Sequence, residues 1–137
     1  MSDTTGGSQD FHNGAIEQVT SGGATVRLMA ETVDYADTQT ELDNKELSGT
    51  GYSAQTVAEA DWNVSFDNAT RTATLENADV VDFGETATDW GVVEEVVIDA
   101  DDGSDIYLLA DEPNKPDLTG EDYRFPIGEI TYTLGDA

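Results

Sequence analysis

The segments GVVEEVVID (residues 91–99), ADDGSD (residues 100–105) and IYLLA (residues 106–110) decide the fold of this chain. Residues 91–99 carry apolar side chains at both odd and even positions, as a strand that is buried on both faces requires. Asp102 and Gly103 form the Asp-Gly pair that is a strong short-range signal of a hairpin turn. We therefore predict a central strand that continues through a hairpin into an antiparallel neighbour.

The segments on the N-terminal side of this hairpin also show strand patterns. Residues 24–30 alternate apolar and polar side chains, which predicts a half-buried strand. Residues 62–66 and 73–75 alternate in the same way on either side of a polar turn, which predicts a second hairpin. Thr38 and Glu41 have the spacing of a capping box, so one short helical turn is expected there.

The C-terminal segment predicts a strand with a register break. Aromatic and aliphatic side chains occupy odd positions from 123 to 127 and even positions from 130 to 134. Pro126 and Gly128 lie where the parity changes, and a β-bulge there would bring both sets onto one face. About seven short strands in all predict an all-β fold, an antiparallel β-sandwich of jelly-roll or immunoglobulin-like type with one short helix.

The N-terminal residues differ in composition from the rest of the chain. Residues 1–23 are polar and rich in glycine, which predicts an N-terminal arm outside the core, held against a neighbouring subunit. Residues 24–137 are then the β-sandwich domain. His12 is the single histidine and lies in the arm, where we expect a solvated loop side chain.

The charge of the chain indicates the solution in which it works. The chain carries 30 Asp and Glu residues against 5 Lys and Arg residues, a formal net charge of -25 on 137 residues. On a folded surface of this size the acidic groups lie on the order of 15 Å apart. The Debye length is about 10 Å at 0.1 M salt and about 3 Å at 1 M, so only dilute salt leaves neighbouring carboxylates repelling one another. We expect a surface adapted to molar salt. A disordered acidic segment is the alternative, and the 37% of apolar residues argue against it.

The same composition excludes several classes of function. Nucleic-acid backbones and anionic membranes would be repelled by this surface, so neither is expected as a partner. The N-terminal sequence MSDTTGGSQD has no basic region and no apolar core, which predicts no signal peptide and synthesis in the cytoplasm. The chain has no cysteine, so disulfides, thiolate catalysis and cysteine-type zinc sites are impossible.

The candidate chemistry of the chain is limited to one acidic turn. Asp99, Asp101 and Asp105 surround Gly103 and could supply oxygen ligands to Ca²⁺, which prefers hard anionic sites. The alternative is that these residues only form the hairpin turn, because their spacing does not match the EF-hand loop. We predict no other cofactor. Scattered carboxylates do not define a catalytic pair, and we expect that the protein is not an enzyme.

Several segments, taken in chain order, resemble a family of small virion proteins of tailed viruses, the tail-fibre-like or head-decoration proteins. The segment SGTGY is the most specific piece, and each of the others is short, so the resemblance rests on their common order. The matching segments are VRLM (26–29), SGTGY (48–52), DW (89–90), VVID (96–99), IYLLA (106–110) and the closing segment 120–134.

The resemblance implies a virion structural protein of a tailed virus, and the acidic surface implies a halophilic host, with halophilic archaea as the expected hosts. Three roles stay open: a decoration or turret subunit on the capsid surface, a tail or baseplate fibre-type protein, and a cellular carbohydrate-binding β-sandwich module. The implied partners are further copies of the chain in a homo-oligomer, the major capsid protein or tail proteins, and a host cell-surface receptor. Exposed aromatic side chains in a shallow groove would favour the carbohydrate-binding module.

Overall fold

A computed structural model describes residues 8–100, 102, 104–110 and 114–135 of the chain. In this part of the chain the structure is mainly antiparallel β, with two short helices. The elements, in chain order, are α1 (Gln9–Thr20), β1 (Ala24–Met29), α2 (Gln39–Lys45), β2 (Gln55–Val57), a 3₁₀ turn (Glu59–Asp61), β3 (Trp62–Asp67), β4 (Thr72–Asn77), β5 (Val81–Glu85), β6 (Gly91–Val92), β7 (Glu95–Asp99), β8 (Tyr107–Ala110), β9 (Asp117–Leu118), β10 (Asp122–Phe125) and β11 (Thr131–Gly135).

The largest sheet has the strand order β2-β1-β7-β8 and is antiparallel throughout. The prediction of a central strand with a following hairpin is confirmed for β7 and β8, in which Ile98 lies opposite Leu108. The N-terminal part of the predicted strand forms the separate strand β6 instead. Strand β6 pairs with β9, and Val93 donates its N–H to the carbonyl of Pro116. The chain joins the largest sheet from Glu94 onward, where the Glu94 N–H donates to the carbonyl of Met29 in β1.

Both faces of the largest sheet are covered. Leu28 of β1 and Ile98 of β7 face the main core, whereas Met29 and Val97 face a smaller cluster that includes Leu42 of α2. The predicted capping box is confirmed, because the Thr38 N–H and hydroxyl both donate to the Glu41 carboxylate. Helix α2 therefore covers the face of β1 that the sequence pattern left to solvent.

A second sheet has the order β11-β4-β3, and two smaller sheets pair β10 with β5 and β6 with β9. The predicted hairpin is confirmed for β3 and β4, in which Val64 lies opposite Leu75 and Phe66 opposite Ala73. Buried side chains of β4, β5 and β10 join those of β1 and β7 in the main core. The structure is thus a β-rich fold in which several antiparallel sheets share one core.

The prediction of a single bulged strand at the C-terminus is wrong. Strands β10 and β11 belong to different sheets, and the residues between them form a turn in which Ile127 is 63% exposed. The side chain of the fully buried Asn77 fixes this turn, because its Nδ2 donates to the Pro126 carbonyl and its Oδ1 accepts from the Ile130 N–H. Pro126 lacks an N–H and cannot continue the ladder of β10.

The prediction of an N-terminal arm outside the core is wrong for Gln9–Thr20, which form helix α1. Ile16 and Val19 of this helix are fully buried in the main core, and α1 packs on β3, β4 and β11. His12, predicted as a solvated loop residue, is also buried and its ring stacks 5.9 Å from that of Phe66. Positions 12, 16 and 19 lie on one helix face, which explains why this polar sequence buries one side. Residues 1–7 of the predicted arm lie outside the described residues.

Candidate functional site

Arg27 of β1 is 5% exposed and is the centre of a cluster of charged side chains. A guanidinium has five N–H donors, and all five are used here. Glu46 accepts two of them, at 2.8 and 3.1 Å, and Asp43 accepts one at 2.6 Å. The other two bonds go to Asp99 at 3.1 Å and to the Gln39 side chain at 2.9 Å. Arg27 thus ties helix α2 and strand β7 to β1.

The charges in this cluster stabilise one another. Burial lowers the pKa of Arg27, but the hydrogen bonds and the negative charge of Glu46, with the bonds to Asp43 and Asp99, raise that pKa well above its ordinary value. Arg27 therefore stays charged, and its removal would leave carboxylates in a partly buried place without their cation.

Tyr52 connects the Arg27 cluster to the loop that follows α2. Its hydroxyl donates to the second carboxylate oxygen of Glu46 at 2.6 Å and accepts the Leu28 N–H at 3.0 Å. Burial, and then the hydrogen bond to Glu46, raise the pKa of Tyr52 well above its ordinary value. The phenol therefore stays protonated and acts as a fixed donor to Glu46.

The loop that contains Tyr52 is held against the segment Asp89-Trp90. Thr50 donates its N–H and its hydroxyl to the Asp89 carboxylate, at 2.9 and 2.7 Å, and the Trp90 indole N–H donates to the Thr50 carbonyl at 2.7 Å. Gly49 lies against Trp90 so closely that a Cβ atom there would stand 2.4 Å from the indole Cδ1. The rings of Tyr52 and Trp90 pack edge to face, with their centroids 5.3 Å apart.

These contacts make one connected unit, which we call the Arg27–Trp90 unit. It joins segments 26–29, 48–52, 89–90 and 96–99, which the sequence analysis had singled out as separate motifs. The first and the last of these segments are about 70 residues apart in the sequence. Even so, each of the four segments contacts at least one of the others. Because every N–H of Arg27 already has an acceptor, the guanidinium offers no free donor to a ligand.

The predicted calcium ligands are placed differently from one another. Both carboxylate oxygens of Asp99 accept hydrogen bonds, one from Arg27 and one from the Gln39 side chain. Asp105 is exposed and accepts the backbone N–H of Gln39 at 2.9 Å. Asp101 lies outside the described residues, and among the residues that are described no group of three or more His, Cys, Asp and Glu could hold a metal ion. The calcium site stays a prediction, while Asp99 acts as a partner of Arg27.

A second feature is a shallow groove of about 240 Å³ at the edge of the largest sheet. We call it the tyrosine groove, and its lining residues are Tyr35, Asp105, Tyr107, Leu108, Leu109 and Tyr132. Tyr35 stands on its rim with 91% of its surface exposed. The Tyr107 hydroxyl shares its one proton between the carbonyls of Asp37 and Asp34, at 2.9 and 3.2 Å, which fixes the loop that carries Tyr35.

Acidic side chains surround the Tyr107 hydroxyl at the tyrosine groove. Burial raises the pKa of Tyr107 above its ordinary value, and the negative charges of Asp37, Asp105 and Asp34 raise it further. The groove therefore combines aromatic side chains with an acidic rim.

Sequence reasoning missed both features. It assigned Arg27 to the polar face of a half-buried strand, and it singled out neither Tyr35 nor Glu46. A possible signal for the Arg27 cluster was the position of this arginine between two apolar residues, because the chain has only 5 Lys and Arg residues. No local pattern pointed to the tyrosine groove, because Tyr35 and Tyr132 are far apart in the sequence.

Comparisons of the chain with protein-family models, with curated proteins and with solved structures find no match. Among the described residues, none of the helices combines the length and the apolar character that a membrane span needs.

Proposed function

We propose that this protein is a structural subunit of a tailed-virus particle that is adapted to high salt, and that it decorates the capsid surface as a decoration or turret protein. The Arg27–Trp90 unit is the observation that carries this proposal. Four segments on which the resemblance to virion proteins rests are joined there by hydrogen bonds and packing. A chance likeness between short, separate motifs would not require those motifs to contact one another.

The contacts of the unit support a structural role and not a catalytic one. Arg27, Glu46 and Tyr52 use their polar atoms to hold one another, which fixes the position of α2 and of the loop after it. Gly49 and Trp90 pack without space between them. A rigid subunit of this kind suits a lattice, in which each copy must present the same surface. The non-enzymatic role is part of the proposal.

The finer assignments belong to the same proposal. We propose a β-sandwich of jelly-roll or immunoglobulin-like type, which is supported by antiparallel sheets that share one core. The proposed partners are other copies of the chain in a homo-oligomer, and the major capsid protein. A tail or baseplate protein is the alternative within the virion, and it is less favoured because the chain lacks the long repeats of a fibre shaft.

The test is to find the chain on intact particles. Antibodies against the recombinant protein would be applied to particles of the virus whose genome encodes the chain, kept in molar salt, and visualised by gold labelling. Label over the capsid is the expected result, and label confined to the tail would select the alternative role. Particles that lack the protein in mass spectra, while infected or host cells contain it, would overturn the virion proposal. Preimmune serum on the same particles is the control.

One observation favours a second candidate function, a carbohydrate-binding module. The tyrosine groove presents three tyrosine side chains and an aspartate at an open surface. A cellular module of this type would bind a saccharide but would be absent from particles. Particle labelling therefore separates the two candidates.

A further inference from the structure

The tyrosine groove follows the edge of β8 that is not hydrogen-bonded to another strand, with Tyr132 of the nearby β11 as part of its lining. Tyr107, Leu108 and Leu109 all line it, although successive side chains of a strand point to opposite faces of the sheet. A groove that touches residues of both parities must run along the edge of the strand. In the part of the chain that the structure describes, β8 is the outer strand of its sheet.

Main-chain hydrogen-bonding groups are available at this edge. Ala100 donates its N–H to the carbonyl of Ile106, which makes residues 100 and 106 a hydrogen-bonded pair of the ladder. Hydrogen-bonded and non-hydrogen-bonded pairs alternate along antiparallel strands. Tyr107 and Leu109 are therefore in non-hydrogen-bonded pairs, and their N–H and C=O groups point away from β7 toward the groove. The edge thus offers both donors and acceptors to a ligand.

The side chains of the groove add aromatic surface. Tyr35 is 91% exposed, so packing within the chain does not account for its position on the rim. Tyrosine rings combine an apolar face with a polar hydroxyl, a combination that suits a ligand with both apolar and hydroxyl-bearing surfaces. Asp105 is exposed beside the rings and supplies a carboxylate acceptor.

The charge of the groove limits the occupant. Asp105 lines the groove with an exposed carboxylate, whereas the Asp37 carboxylate is paired with Lys45, so an anionic ligand would place its own acceptor oxygens beside a carboxylate that cannot donate to them. A quaternary ammonium ion would be attracted, but it has no group that could use the open N–H and C=O groups of β8, and molar salt screens its attraction.

We propose that the tyrosine groove binds a neutral saccharide. The sugar ring packs on Tyr35 and Tyr132, its hydroxyl groups donate to Asp105 and to the open carbonyls of β8, and they accept from the open N–H groups of the same strand. On a particle this groove would contact a glycan of the host surface, and that extension alone rests on the proposed virion role. The binding itself is a property of the isolated chain.

The experiment uses the recombinant full chain in about 3 M KCl, where charge effects extend over less than about 3 Å. Amide resonances would be followed by NMR during titration with the neutral disaccharides maltose, cellobiose, lactose and chitobiose. Binding of at least one of them, with shifts at Tyr107, Leu109 and Tyr132, is the expected result. The Tyr35→Ala variant is expected to bind about tenfold more weakly, and Tyr35→Phe to retain most of the affinity because it keeps the ring.

Matched controls separate the proposal from its competitors. Ile127→Ala removes another exposed apolar side chain outside the groove and is expected to leave binding unchanged. Any one of three results would overturn the proposal: no shift with any of the four sugars, groove shifts with tetramethylammonium chloride alone, or a lower sedimentation mass for Tyr35→Ala. The last would assign the groove to an interface between copies. None of these results depends on whether the protein is found on particles.

Discussion

Gly49 lies against Trp90 so closely that a methyl group on residue 49 would stand 2.4 Å from Cδ1 and 2.7 Å from Cα of the tryptophan. Contacts below 3.0 Å do not occur for real Cβ atoms, and one of these two neighbours is backbone. The loop after α2 and the segment that carries Trp90 are therefore fitted to a glycine. Hydrogen bonds join the same two segments, because the Thr50 N–H donates to the Asp89 carboxylate and the Trp90 indole N–H donates to the Thr50 carbonyl. A shift of either segment would therefore break both the packing and these hydrogen bonds.

We predict that Gly49→Ala destabilises the protein by about 1–3 kcal/mol, because the added methyl group overpacks the contact with Trp90. The matched control is Gly14→Ala in α1, where a Cβ would meet nothing within 4 Å. That change should stabilise by about 0.5–1 kcal/mol, since alanine is the better helix former. Urea denaturation of both variants in high salt would measure the two effects. Equal midpoints for Gly49→Ala and the parent would contradict the packing argument.

We predict that Arg27→Met lowers the free energy of unfolding by about 3–5 kcal/mol, because Asp43, Glu46 and Asp99 lose their common cation. The control is Arg124→Met, which removes an exposed arginine 3.8 Å from Asp122 and should cost less than about 1 kcal/mol. The difference between the two variants should persist in molar salt, since partly buried pairs are screened much less than exposed ones. Similar losses for both variants would show that the Arg27 cluster contributes little.

Short-range patterns predicted the parts of the fold that depend on neighbours in sequence. The β7–β8 hairpin, the β3–β4 hairpin and the capping box at Thr38 each involve residues that are close along the chain. Their signals are alternation, turn residues and an i to i+3 spacing, all of which can be read locally.

The errors arose where distant residues decide the structure. The turn after β10 depends on Asn77, about 50 residues earlier, whose side chain binds the Pro126 carbonyl and the Ile130 N–H. Helix α1 forms because β3 and β4 cover Ile16 and Val19, which the glycine-rich composition did not reveal. The Arg27–Trp90 unit was predicted only as separate motifs. Their contacts with one another could be found only in three dimensions.

The role of Asp99 can be separated from that of a calcium ligand. We predict that Asp99→Asn destabilises the protein by a similar amount in millimolar Ca²⁺ and in EDTA, because the lost partner of this carboxylate is Arg27. Thermal melts of parent and variant under the two conditions would measure this. If Ca²⁺ stabilises the parent and not the variant, by RT ln(1 + [L]/Kd), the calcium site predicted from Asp99, Asp101 and Asp105 would be supported instead.

Asp89 provides a test by pH. The hydrogen bond from the Thr50 hydroxyl, and then that from the Thr50 N–H, lower the pKa of Asp89 below its ordinary value. A carboxyl whose pKa is lower in the folded state stabilises the fold above its unfolded pKa of about 3.9, and this contribution disappears as the pH falls through the folded pKa. We predict that Asp89→Asn melts below the parent at pH 7, and that the difference shrinks between about pH 5 and pH 3.

The control for that series is Glu129→Gln, which removes the same unit of charge from the exposed turn after β10. The melts are measured in high salt, which keeps the repulsion between acidic side chains small for both variants. A difference between Asp89→Asn and Glu129→Gln that stays constant with pH would show that the bonds from Thr50 do not depend on the charge of Asp89.

The last prediction concerns salt, and it follows from the surface area and the charge of the chain. The accessible surface is 7312 Å² and the chain has 30 acidic residues, which places them about 16 Å apart if they are spread evenly. At that spacing, screening over about 10 Å at 0.1 M salt leaves a repulsion that sums to at most about 5 kcal/mol, and screening over about 3 Å at 1 M removes most of it. The free energy of unfolding should therefore rise steeply between these concentrations and then level off. Any oligomer should dissociate at the low end of this salt range, because like-charged subunits meet at its interfaces.

Urea denaturation followed by circular dichroism, with sedimentation at each salt concentration, would measure both effects of salt. The same series near pH 4 is the control, since the carboxyl groups approach their ordinary pKa of about 4 there and the charge falls, so the dependence on salt should be weaker. A midpoint and a mass that stay constant from about 0.1 to 3 M at neutral pH would show that the acidic surface does not serve a saline environment, and would remove the main support for a halophilic host.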